Sequence, residues 1–98
     1  MLGKIFSVKT DIVYHREESL NLFKGKKKLD KVVSGRVLRE QIKLFGFIVR
    51  TKYIYQICCP LVDMNDTHEV SELYRVEDLV RTACYNKVVE YSKRKHYA

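Results

Sequence analysis

Ninety-eight residues are enough for one hydrophobic core and too few for two, so a single domain over residues 1–98 is expected. An apolar fraction of 46%, seven Tyr, four Phe and only four Gly and one Pro exclude a disordered or low-complexity chain. The net charge of +7 is unevenly placed: residues 1–57 carry 13 Lys and Arg against 5 Asp and Glu, whereas residues 58–98 carry 6 against 7.

From Lys4 to Arg16, Phe6, Val8, Thr10, Ile12 and Tyr14 fall on one parity, and Ser7, Lys9, Asp11 and His15 on the other. Period two predicts a half-buried strand over about 4–16, with Val13 the one apolar residue on the polar face. Two glycines punctuate the next stretch. Gly25, among Lys24, Lys26, Lys27 and Lys28, reads as a loop tip, since glycine tolerates positive φ and clustered charge prefers solvent. Ser34-Gly35 reads as a second turn.

Residues 36–45 admit two readings. Ser34 can cap a helix over Arg36 to Phe45 that Gly46 terminates, with Leu38, Ile42 and Phe45 on one face. Alternatively, strands over about 37–44 and 47–58 form a hairpin with Phe45-Gly46 as a two-residue turn. The matching register opposes Leu44 to Phe47, Ile42 to Val49, Glu40 to Thr51 and Leu38 to Tyr53, and it segregates polar from apolar residues on both strands at once. Phenylalanine is an unusual first residue for such a turn, where Asn or Asp is preferred. The second strand, rich in Ile, Val, Thr and Tyr, is expected in either case.

Pro60 ends that strand, and Asp66 with Glu69 three residues later has the form of a capping box. Val76, Val80, Cys84, Val88 and Tyr91 recur at helical spacing and predict a carboxy-terminal helix over about 77–94, whose start lies between 67 and 77. Leu73-Tyr-Arg-Val also fits a short strand. The fold class expected is α+β: a small antiparallel sheet of three or four strands packed against the C-terminal helix.

Catalytic and metal chemistry find no motif. Cys58 and Cys59 are adjacent and point to opposite faces of a strand, so they cannot chelate as Cys-x-x-Cys does, and His15, His68 and His96 have no diagnostic partner. A non-enzymatic protein without metal or cofactor is expected. Lys4 and Ser7 break the amino terminus before any signal-peptide core forms, no span reaches membrane length, and three cysteines suit a reducing compartment, so a cytoplasmic location without membrane contact is expected.

The expectation for function rests on the surface. In the hairpin register above, Arg39, Gln41, Lys43, Arg50, Lys52 and Gln56 share one basic face, and Lys24, Lys26, Lys27 and Lys28 form a lysine-rich loop. These cations suit an anionic partner, nucleic acid or a nucleotide ligand. The alternative is a small inhibitor or adaptor of phage type that binds a host protein through the hairpin edge or the surface around residues 61–76. The tail Ser92-Lys-Arg-Lys-His-Tyr either touches phosphate or complements the helix dipole.

Overall fold

A computed structural model describes residues 6–95, with side chains to Lys93; Lys4 and the residues of the basic tail beyond Lys93 lie outside the described side chains. The elements in order are β1 (Phe6–Ser19), β2 (Phe23–Lys24), β3 (Lys27–Lys28), β4 (Val32–Leu44), β5 (Phe47–Cys58) and α1 (Thr67–Lys95). Strands β1, β4 and β5 form an antiparallel sheet with β4 in the centre, α1 packs on one face, and β2–β3 is a separate two-residue ribbon. The expected α+β class is therefore present.

The hairpin reading holds, and residues 36–44 are strand. Phe45 and Gly46 form its turn with φ of 54° and 83°, the pair of positive values that a type I′ turn requires. Gly25 also takes positive φ, at 66°, at the tip of the β2–β3 ribbon. Ser34-Gly35 is not a turn: both residues lie inside β4, where glycine lets the helix approach the strand.

Helix α1 starts at Thr67, ten residues before the expected core segment, because Leu73 and Val76 extend the apolar stripe of Val80 and Cys84 back by two turns. Asp66 caps it, its Oδ1 accepting from the amides of His68 (3.0 Å) and Glu69 (3.3 Å). Glu69 does not close the expected capping box; its Oε2 accepts from the Asp63 amide at 3.3 Å.

The buried core comprises Leu20, Leu22, Val33, Val37, Leu73, Val76, Val80 and Cys84, with Val13, Tyr14, Tyr53 and Ile57 packed against it. Each fully buried aliphatic side chain contributes about 1.5–3 kcal/mol. Leu20 and Leu22 reach this core from a segment without strand structure, held by the bonds Leu20 N–H to Lys31 O (2.9 Å) and Leu29 N–H to Leu22 O (2.8 Å).

Two bulges decide which side chains face the helix. One at Val13 pairs Ile12 with Leu38 and Tyr14 with Val37, so Tyr14 faces α1 while Phe6, Val8 and Ile12 face away from it, 54%, 55% and 58% exposed. The expectation that these alternating residues bury together is thus corrected. The second bulge is at Val49: Lys43 pairs with Ile48, but Ile42 pairs with Arg50, and the expected register is shifted by one from there to Ser34–Cys58. Leu38 opposes Ile54, and Tyr53 opposes Arg39.

The core reaches no farther along the sheet than Val13, Val37 and Tyr53. Beyond it, residues 6–11, 40–44 and 47–51 form an arm, none of whose side chains belongs to the core. The radius of gyration, 18.4 Å, and the extents of 59 × 33 × 19 Å record the elongation, since a compact domain of this length has a radius near 13 Å.

Candidate functional site

Opposed residues of an antiparallel pair share a face, so the Val49 bulge divides the basic face expected from the sequence. Arg39, Gln41 and Lys43 point to the helix side of the sheet, opposite Tyr53, Thr51 and Ile48. On the other side are Arg50, Lys52 and Gln56, opposite Ile42, Glu40 and Arg36. The six residues are divided between the two faces of the β4–β5 hairpin rather than forming a patch.

Arg39 is committed to structure. Asp11 opposes it on β1, and the guanidinium Nη2 donates to Asp11 Oδ2 at 3.1 Å. Its Nε is buried without a partner. Lys43 has Ser7 and Ile48 as cross-strand neighbours, and Lys9 lies on the same side two residues along β1, opposite Gln41. Lys9 was not among the candidates; its place on the polar parity of the first strand was the signal for it.

The remaining four candidates, Lys24, Lys26, Lys27 and Lys28, occupy the β2–β3 ribbon. Phe23 and Lys24 border a hollow of 440 Å³ whose other side carries Asp63, Asp66 and Glu69. Nearby, Lys31 Nζ donates to the Leu61 carbonyl at 2.7 Å and stands 4.0 Å from Glu69. The ribbon adjoins the start of α1, at the opposite end of the sheet from the arm. Lys43 lies eleven positions along β4 from Val32, about 36 Å of strand.

Charge pairing differs between the halves of the chain. Among the described residues, Arg75, Arg81 and Lys87 of α1 form ion pairs, with Glu72, Glu77 and Glu90, and Lys93 does not. Of the eight candidate cations only Arg39 does. Lys24, Lys26, Lys27, Lys28, Lys43, Arg50 and Lys52 have no carboxylate within 4.0 Å among those residues.

The open face also holds a hollow of 660 Å³, bordered by Ile12, His15, Ser34, Arg36, Gln56 and Cys58. Arg36 Nε donates to Gln56 Oε1 at 2.9 Å, and His15 Nε2 lies 3.6 Å from Glu17 Oε1. A thiol and an imidazole thus line one cavity, but β4 separates their strands, which places them about 10 Å apart. A nucleophile and its base need hydrogen-bond reach, and this pair lacks it. No group of three or more His, Cys, Asp or Glu among the described residues could hold a metal ion, and no helix there is long and apolar enough to cross a membrane.

Comparison of the chain with family models, with curated proteins and with solved structures finds no match.

Proposed function

We propose that the chain is a non-catalytic binding module for a polyanion, nucleic acid first, which it contacts through the arm and the lysine ribbon. The observation that carries this reading is the set of seven candidate cations without carboxylate partners among the described residues, placed at the two ends of the sheet. Lysine and arginine that are exposed and uncommitted attract phosphate at little desolvation cost. The ribbon precedes Val32, and Lys43 stands about 36 Å farther along β4, a length that exceeds the span of a mononucleotide and favours a polymer.

Titration of a labelled duplex and a labelled single strand by fluorescence anisotropy tests this. With about four phosphate contacts, affinity falls roughly 100-fold between about 50 and 200 mM salt. Charge reversal at Lys43 and Arg50, on opposite sides of the arm, should each weaken binding across unrelated sequences. Affinity that ignores both salt and these substitutions would exclude phosphate contact as the mechanism.

A second reading, a protein partner, is favoured by the apolar surface of the open sheet face, where Phe6, Val8, Ile12 and Phe47 are each more than half exposed. Retention of a partner protein after nuclease treatment would support it.

A further inference from the structure

We infer that the open face of the sheet is the interface of a homodimer, in which a second copy of this chain packs face to face with strands antiparallel. Such a dimer covers Arg50 and Lys52, so it competes with polyanion contact at these two cations and leaves Lys24, Lys26, Lys27, Lys28 and Lys43 outside the interface. Its basis is the face turned away from α1, where Phe6, Leu44 and Phe47 form a cross-strand row at the arm end. Val8 and Ile42 follow beside Arg50, then a polar row of Thr10, Glu40 and Lys52, then Ile12, Leu38 and Ile54 as a second apolar row. Leu38 is already only 8% exposed between its two neighbours, whereas Phe6 and Phe47 keep 54% and 74%.

Area makes this face large enough for an interface. An aromatic side chain presents roughly 150–250 Å², so Phe6 and Phe47 alone leave about 200–300 Å² of apolar surface in water. Single chains keep their largest such patch to about 300–600 Å², and Val8, Ile12 and Leu44 carry this one into that range. Three strands at about 4.8 Å and some 12 residues at about 3.3 Å give a flat face near 14 × 40 Å. Two such faces bury about 1100 Å² before side-chain relief is counted, which reaches the threshold of about 1000 Å² for a specific interface.

Shape and charge favour a second copy over an unrelated occupant. The aromatic row projects at the arm end, and the 660 Å³ hollow at His15, Arg36 and Cys58 opens at the other end of the same face. An antiparallel two-fold arrangement brings each row to the other copy's hollow, so the contact closes on itself and leaves no free knob or hole. The dyad then falls near Leu38 and Glu40, midway between the Leu44 and Gly35 levels of β4. The two-fold axis lies across the strands in the interface plane and sets β4 over β4 and β5 over β5, so Arg50 meets the Gln56 level of the second copy, and at the dyad Glu40 of each copy comes within reach of Lys52 of the other. Sheets packed this way lie about 10 Å apart at roughly 30°. Lys9 and Lys43, on the helix side, stay outside the contact in the pair.

Sedimentation equilibrium on nuclease-treated full-length protein tests the inference. The expected result is a concentration-dependent species with twice the mass of the 11.6 kDa chain. Phe47→Glu and Val8→Glu should each raise the dissociation constant at least 10-fold. Ile48→Glu, an equal loss of an exposed apolar residue but on the helix side of the same arm, should leave it unchanged, with circular dichroism confirming that all three fold. A monomer at all concentrations up to about 100 µM overturns the inference. So does a dimer that survives both open-face substitutions, which would point to pairing at the β1 or β5 edge.

Discussion

Gly35 of β4 lies directly beneath Val80 of α1: a Cβ at Gly35 would stand 2.5 Å from Val80 Cγ1, 2.8 Å from Cys84 Sγ and 3.0 Å from Ile57 Cδ1. Val80 and Cys84 are fully buried, so neither can swing clear into solvent. Gly35→Ala should therefore destabilise the protein by about 1–3 kcal/mol through overpacking. At roughly 4–8 °C per kcal/mol for a domain of this size, the thermal midpoint should fall by several degrees or more. Adding Val80→Ala removes the closest contact, and calorimetry of the double mutant should show less than the sum of the two single losses.

Phe45 works against the hairpin it closes. Its φ of 54° is left-handed, which costs a residue with a Cβ about 1–2 kcal/mol, and with 67% of its surface exposed the ring gains little packing in return. Asn tolerates this conformation, and Asn-Gly is the preferred pair for a type I′ turn. Phe45→Asn should raise stability by about 1 kcal/mol, seen as a higher urea midpoint at unchanged slope. A lower midpoint would mean that the ring packs more than its exposure indicates.

The same hairpin marks how far the sequence could be read. The turn at Phe45-Gly46 and the strands on either side follow from alternation, and α1 follows from the spacing of Val76, Val80 and Cys84. The faces do not. A single extra residue at Val13 and another at Val49 reverse the side on which every later side chain falls, and the core lies beneath Val33, Gly35 and Val37 rather than Ile42 and Leu44. Val13 left a trace as the apolar residue on a polar face; Val49 left none, since the unbulged register segregates polar from apolar equally well. For the candidate site the consequence is direct: all eight cations were legible as types, but whether Arg39 and Arg50 share a face depended on that one residue. Gly35 misled for a similar reason, because a glycine that admits a helix is indistinguishable in sequence from one that makes a turn.

The three cysteines should separate cleanly by reactivity. Cys58 and Cys59 are exposed and Cys84 is buried against Gly35. Burial raises the pKa of the Cys84 thiol, and burial followed by the negative charge of Glu77, whose Oε2 accepts from Cys59 Sγ at 3.7 Å, raises that of Cys59. Thiolate is the reacting species, so at mildly alkaline pH a disulfide reagent should modify Cys58 first and Cys59 more slowly, with Cys84 protected until the protein unfolds. Glu77→Gln should accelerate Cys59 without affecting Cys84. Rapid modification of all three thiols would show that α1 opens readily from the sheet.

Glu72 is the point at which acid should loosen the fold. It is almost buried, and its carboxylate accepts from Arg75 Nη2 at 2.6 Å and Nε at 3.1 Å and from the Asn21 amide at 2.9 Å, tying the segment that delivers Leu20 and Leu22 to α1. The Arg75 hydrogen bonds first, then that from Asn21, lower its pKa from 4.5 to about 2. Because the folded value lies below the unfolded one, the unfolded chain takes up the proton first as pH falls. The stabilisation is therefore complete above about pH 5 and is lost progressively between there and about pH 2. Hydrogen bonds to a charged acceptor are worth about 1.5–3 kcal/mol, and the exposure of Arg75 puts this contribution toward the lower end. Glu72→Gln keeps an acceptor for Asn21 but removes the charge, so it should cost about 1–2 kcal/mol at neutral pH. The difference from the parent should shrink as the pH is lowered toward 2. Urea unfolding of both proteins across that range checks the sign; a difference that grows toward acid would mean that the carboxylate is not the group being protonated.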